Sequence, residues 1–171
     1  MVKIKKIVIL IITAILAISA LCCSCEKREP AAQPDPAALM AKLAAHFPEC
    51  GDDNIKYESG NKTRELSYTK AAEVYSENKN SPADMSKIEK YCVVSNKNKD
   101  AEIGIFKLYD KANANYVKKM ANTRISKMRA ENISETNNNA EARSYGNYVY
   151  YVSHSEKDKI FEMIEDMLRG V

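Results

Sequence analysis

Histidine is almost missing from this 171-residue chain: His46 and His154 are the only two. The side chain that most often serves as general base and metal ligand is therefore scarce. Neither histidine sits in a pattern that carries chemistry. His46 lies beside the apolar face of an expected helix and reads as a packed or surface residue. His154 falls at an expected strand-to-helix junction and reads as a turn residue. HExxH, GxSxG, GxGxxG and P-loop patterns are all absent. No CxxC pair occurs, which argues against redox and zinc sites. Asp52-Asp53 could hold a cation, but a solvated acidic turn is the commoner meaning of such a pair. The sequence thus nominates no catalytic residue, no metal ligand and no cofactor.

Acid is missing from the first 24 residues, which hold Lys3, Lys5 and Lys6. Those three account for the whole formal charge of +3, leaving 23 basic against 23 acidic side chains in the rest. A formally neutral domain has no electrostatic support for nucleic-acid binding.

The charge-free run Ile7 to Leu21 follows the lysines. A basic start and a 15-residue apolar stretch are the plan of a secretory signal. At 1.5 Å per residue the run spans roughly 22 Å, short of a hydrocarbon core of roughly 30 Å, so a permanent membrane span fits less well. Leu21-Cys22-Cys23-Ser24-Cys25 comes next and resembles a bacterial lipobox. In that pattern a small residue precedes the cysteine that is acylated, which selects Cys25. Cys22 and Cys23 stand where Leu and a small residue are usual. The expectation is a signal peptide over 1–24, a lipidated cysteine and tether over 25–35, and a single domain over 36–171. The stretch EKREPAAQPDP is charged and proline-rich, so it cannot pack a core. Beyond Cys25 only Cys50 and Cys92 remain. They could form a disulfide, for which the entropy model gives roughly 4 kcal/mol. Two separate buried thiols is the other reading, and spacing does not choose.

The periodicities predict α+β: an antiparallel sheet of about four strands in two hairpins, packed against amphipathic helices. A helix is expected over Pro36 to Phe47, capped by Asp35. A short strand follows at Ile55 to Glu58, and a short helix capped by Ser67 runs through Tyr75. Tyr91 to Ser95 and Ala101 to Leu108 make one hairpin. A long helix runs from Asp110 to about Glu131, followed by a loop at Glu135 to Asn139. Ala142 to Tyr145 and Tyr148 to Ser153 make the second hairpin around Gly146-Asn147. Ser155 is the expected cap of the last helix, whose apolar stripe includes Ile160, Phe161 and Ile164.

Three features carry candidate roles. The long helix has six basic residues, Lys111, Lys118, Lys119, Arg124, Lys127 and Arg129, and no acid over that span. It could meet anionic lipid or a wall polymer, although a solvated helix face is the simpler account. Tyr148 and Tyr150 share one strand face, which would suit glycan or peptide binding if exposed; burial under a helix is the alternative. Arg124 falls within the apolar arc defined by Val117, Met120, Ala121, Ile125 and Met128. A guanidinium aimed at a core needs an acceptor. Glu102 is the acid within the strand, so Glu102 and Arg124 are expected to pair. Snorkelling of Arg124 to water is the rival.

The lipobox, Ala101-Glu102-Ile103-Gly104-Ile105-Phe106, Arg124, and Gly146-Asn147-Tyr148-Val149 together resemble domain-of-unknown-function family 4358, small lipoproteins of anaerobic Gram-positive bacteria. The resemblance covers roughly residues 36–169. The family's Tyr-x-Pro after the long helix is replaced here by Glu135 to Asn139. The resemblance implies an extracytoplasmic lipoprotein and no particular activity. The expectation is a non-enzymatic domain, anchored to the outer face of the cytoplasmic membrane by its lipid. It would bind an envelope protein, peptide or glycan, not nucleic acid. An enzyme acting on cell-wall or peptide substrates, or a structural subunit of an envelope complex, is the alternative. Mass spectrometry of the mature N-terminus should find the acyl groups on Cys25; diacylated Cys22 or Cys23, or an intact signal, would refute that assignment.

Overall fold

The computed structural model describes residues 33–78, 83–96, 101–131 and 134–171. Cys25, the signal segment over 1–24 and all but the last three residues of the tether over 25–35 lie outside them. So does most of the turn expected at Asn96 to Asp100. No helix among the described residues is long and apolar enough to cross a membrane.

Five strands form one antiparallel sheet: β1 (Ile55–Glu58), β2 (Ile88–Ser95), β3 (Glu102–Leu108), β4 (Glu141–Tyr145) and β5 (Tyr148–Ser153). Their spatial order is β1-β2-β3-β5-β4. The two expected hairpins, β2-β3 and β4-β5, are present, and β3 joins them by pairing with β5. Ile55 to Glu58 adds the fifth strand at the β2 edge.

The helices are α1 (Pro36–Ala44), α2 (Tyr68–Tyr75), α3 (Ala114–Glu131), the single turn α4 (Glu135–Asn138) and α5 (Lys157–Arg169). Local chemistry accounts for several of their ends. Asp35 accepts the N–H of Ala37, with Pro36 at the first helical position. Ser67 accepts the N–H of Lys70. Asp110 caps a 3₁₀ turn, Lys111–Asn113, that leads into α3. Gly170, at φ +76°, ends α5 in the left-handed conformation that glycine tolerates best.

Two expectations need correction. The stretch Glu135 to Asn139, read as a loop, forms a helical turn because Ser134 accepts the N–H of Asn137. Ser155 does not cap the last helix. His154 Nδ1 takes the N–H of Glu156 instead, and α5 begins at Lys157.

Helices cover both faces of the sheet. On one face α2 and α3 pack over Tyr91, Val93, Phe106, Val149 and Tyr151. On the other, α1 and α5 pack over Cys92, Val94, Ile103, Ile105, Tyr150 and Val152. Every residue of β5 is buried, as a strand sandwiched between two helical layers requires.

Gly104 is the tightest point of the sheet. It lies opposite Tyr151, whose ring fills the space a side chain would take. A Cβ built on Gly104 would stand 2.2 Å from Tyr151 Cε1. That ring is enclosed, lying between Phe106 and Tyr75 at centroid distances of 6.1 and 6.5 Å. Gly104→Ala should therefore destabilise the fold by about 3 kcal/mol, the upper end of the usual overpacking cost. Urea unfolding measures this, and an unchanged midpoint would show that Tyr151 can move aside freely.

Candidate functional site

Arg124 and Glu102 meet between α3 and the sheet. Arg124 Nε donates to Glu102 Oε1 and Nη2 to Oε2, both at 2.7 Å. Arg124 is 5% exposed and Glu102 3%, so Arg124 does not snorkel to water. The carboxylate has further partners. Tyr151 donates its hydroxyl to Oε1 at 2.7 Å, and Lys56 Nζ stands 3.7 Å from Oε2. The Tyr75 hydroxyl lies 3.2 Å from that of Tyr151. Since the single proton of Tyr151 is used on Glu102, Tyr75 is the donor of that pair.

Burial alone would raise the Glu102 carboxyl. The hydrogen bonds and charge of Arg124 outweigh it and hold the group below the usual carboxylate range. Burial would likewise lower the Arg124 guanidinium, but Glu102 holds it above its ordinary value. Burial raises both Tyr75 and Tyr151, so they stay protonated donors.

Tyr75 connects this network to the wall of a cleft. Tyr75 ends α2, and Ser76, Glu77 and Asn78 follow it. Facing them from α3 are Tyr116, Lys119, Met120 and Thr123, around a hollow of about 310 Å³. A second hollow of about 370 Å³ shares Glu77, Lys119 and Thr123, and continues along α3 to Asn122, Ser126 and Lys127. Ser76 Oγ is the one buried side-chain polar atom among the described residues with no hydrogen-bond partner. A buried hydroxyl without a partner is unfavourable, and this one belongs to a residue of the cleft wall. Lys119 and Glu77 face each other at 3.6 Å across the rim.

The other candidates fall elsewhere. Tyr148 and Tyr150 do share a face, but both are buried beneath α1 and α5. The expected tyrosine binding face is therefore corrected: these rings are core. Their hydroxyls reach Pro34 O at 2.7 Å and Glu165 Oε1 at 3.3 Å. Cys50 and Cys92 lie in one core cluster as free thiols, not as a disulfide. Burial pushes each up to about 12, so neither presents a thiolate.

Three of the six basic side chains of the long helix are committed within the fold. Arg124 is paired, and Lys127 donates to the Glu73 carbonyl. Arg129 donates to the carbonyls of Asn137, Asn138 and Ala140. That stitching, and the bond from Ser153 Oγ to Asn137 Oδ1, holds α4 against the sheet. Asn137 had no signal in the linear pattern, because its partner Ser153 comes from another element; Ser76 had none, because the cleft it lines forms only where α2 and α3 pack.

His154 is buried with both ring nitrogens engaged, Nε2 by Glu49 Oε1 and Nδ1 by the N–H of Glu156. Neither nitrogen is left for the neighbouring Ser155. His46 is exposed, and Asp52 accepts from Arg64 Nη1 at 2.8 Å. No group of three or more His, Cys, Asp or Glu among the described residues is placed to hold a metal ion.

Compared with family models, curated proteins and solved structures, the chain matches none.

At pH 7, Arg124→Ala should cost roughly 3–5 kcal/mol, because it leaves a buried carboxylate uncompensated. Glu102 has a folded pKa below its unfolded value of about 4.3. Its stabilisation is therefore complete above that pH and is lost as pH falls through the lower, folded value. Urea midpoints taken from pH 7 to pH 2 should show wild type and Glu102→Gln converging in acid. Parallel curves would mean that the carboxyl is not held low.

Proposed function

We propose that this chain is a lipid-anchored extracytoplasmic domain that binds a polar ligand, without catalysing a reaction on it, in the cleft between α2 and α3. The family resemblance and the Ser24-Cys25 lipobox support the anchor at the outer face of the cytoplasmic membrane. The observation that carries the binding reading is the unpartnered Ser76 hydroxyl in the wall of that cleft.

The cleft's chemistry indicates the ligand class. Thr123, Asn122 and Ser126 offer hydroxyl and amide groups, and Lys119 adds a cation at the rim. Such a lining suits the hydroxyls and carboxylates of a wall glycan or its peptide stem better than an apolar chain. The non-enzymatic reading rests on how the reactive groups are used. Glu102 and Arg124 neutralise each other, and the ring nitrogens of His154 are both occupied.

Backbone amide shifts recorded with soluble glycan–peptide fragments of the cell wall should move at Ser76, Lys119 and Thr123. The fragments should be recovered unaltered. Thr123→Arg, which fills the cleft from α3, should abolish the shifts while leaving the fold intact. Shifts elsewhere, or conversion of the fragments, would overturn the reading.

A further inference from the structure

Among the described residues, four of the five exposed large hydrophobic side chains lie toward one end of the domain. The five are Tyr68, Tyr109, Tyr116, Tyr145 and Val171. Tyr109 is 69% exposed and Tyr145 40%. Tyr68 starts α2, whose Glu73 carbonyl receives Lys127 from the C-terminal half of α3. The other four lie together at the opposite end, and a chain of contacts links them. Tyr109 follows the last residue of β3 and donates its N–H to the Lys87 carbonyl. Lys87 Nζ lies 5.3 Å over the Tyr116 ring. Leu108 exchanges hydrogen bonds with Asn147 in the turn beside Tyr145. Arg169, two residues before Val171, stands 5.6 Å from the centre of the Tyr145 ring.

The described chain also starts at this end. The Pro34 carbonyl accepts the Tyr148 hydroxyl at 2.7 Å, and Asp35 pairs with Lys90 near the start of β2. Tyr148 is itself paired with Tyr145 in the β4-β5 ladder. From Cys25 to Pro34 there are nine residue steps, which reach at most roughly 30 Å. If Cys25 carries the lipid, its tether joins the domain at the tyrosine end.

We infer that this end, with Tyr109 and Tyr145 at its centre, docks into the headgroup layer of the membrane that holds the anchor. The inference rests on the lipid-anchor reading. Tyrosine suits that layer because its ring takes apolar surroundings while its hydroxyl stays wet. Net charge contributes little. Lys87 faces Asp84, Lys90 faces Asp35 and Lys107 faces Glu89, so the local charges cancel in pairs. The docking is therefore expected in zwitterionic lipid as well as anionic lipid, with weak salt dependence. Docking would fix the domain's orientation and leave the far end, with α4 and His154, directed away from the lipid.

The test uses the full chain, purified from membranes with its lipid. It is reconstituted into vesicles of phosphatidylcholine alone, and of phosphatidylcholine with 30% phosphatidylglycerol. An environment-sensitive probe is placed at Ser144→Cys, beside the intact Tyr145, or at Asn138→Cys on the exposed far end. Cys50 and Cys92 are buried and stay unlabelled in the folded protein. Headgroup-region spin-labelled lipid should quench the probe at 144 several-fold more than the probe at 138 in both lipids. Adding Tyr109→Ser should reduce quenching at 144 at least two-fold. Equal quenching at the two sites, or quenching at 144 that needs phosphatidylglycerol and vanishes in high salt, overturns the docking while leaving the anchor standing. Vesicle flotation and the mass of the N-terminus report the anchor separately. A chain that neither floats nor carries an acyl group removes the anchor, and the docking with it.

Discussion

Arg124 is a permanent cation in a place with almost no water, and much of one side of the domain is arranged to receive it. The guanidinium takes both oxygens of Glu102, the Tyr151 hydroxyl takes one of them again, and Tyr75 backs Tyr151. These four side chains come from α3, β3, β5 and α2. The layer above that face of the sheet is therefore held in register by directional bonds as well as by apolar contact. A buried ion pair adds little over a well-packed apolar substitute, but losing one partner is severe. The pair thus acts more as a constraint on arrangement than as a source of stability.

Gly104 belongs to the same constraint. Tyr151 can reach Glu102 only because its ring lies flat across β3, and it lies there only because Gly104 has no side chain. The strand Glu102-Ile103-Gly104-Ile105-Phe106 then has one consistent meaning. Ile103 and Ile105 serve the α1–α5 layer, while Glu102, Gly104 and Phe106 serve the α2–α3 layer. The cleft depends on this arrangement, since Tyr75, fixed at its hydroxyl by Tyr151, forms part of its wall.

The two ends of the domain differ in kind. At the tyrosine end, Tyr109 and Tyr145, at the ends of β3 and β4, are exposed to solvent. At the other, charged and polar groups are consumed internally: His154 by Glu49 and the Glu156 amide, Asn137 by Ser153, and Arg129 by three carbonyls. The basic helix shows the same pattern. Six positive side chains in sequence suggest a polyanion site, yet its two arginines and Lys127 are met within the fold. Charge counted along a helix overstates the charge offered to a partner when neighbouring elements supply carbonyls and carboxylates.

The sequence by itself determined the features that local rules govern. Alternation and turn residues placed both hairpins. Capping side chains at Asp35 and Ser67 placed two helix starts. The helical arc through Val117, Ala121 and Met128 placed Arg124 on the apolar face and made Glu102 its leading partner, while the choice between that pair and snorkelling to water fell to the tertiary structure. The tertiary structure alone decided which surfaces remain outside. Tyr148 and Tyr150 share a face in any strand, but only the docking of α1 and α5 over that face makes them core. Cys50 and Cys92 share a cluster as free thiols, a matter of side-chain geometry that spacing does not carry. The cleft beside Ser76 is a property of two helices packed together, and no single segment encodes it. Periodicity reports what one element buries; whether a face meets water depends on what the rest of the chain brings to it.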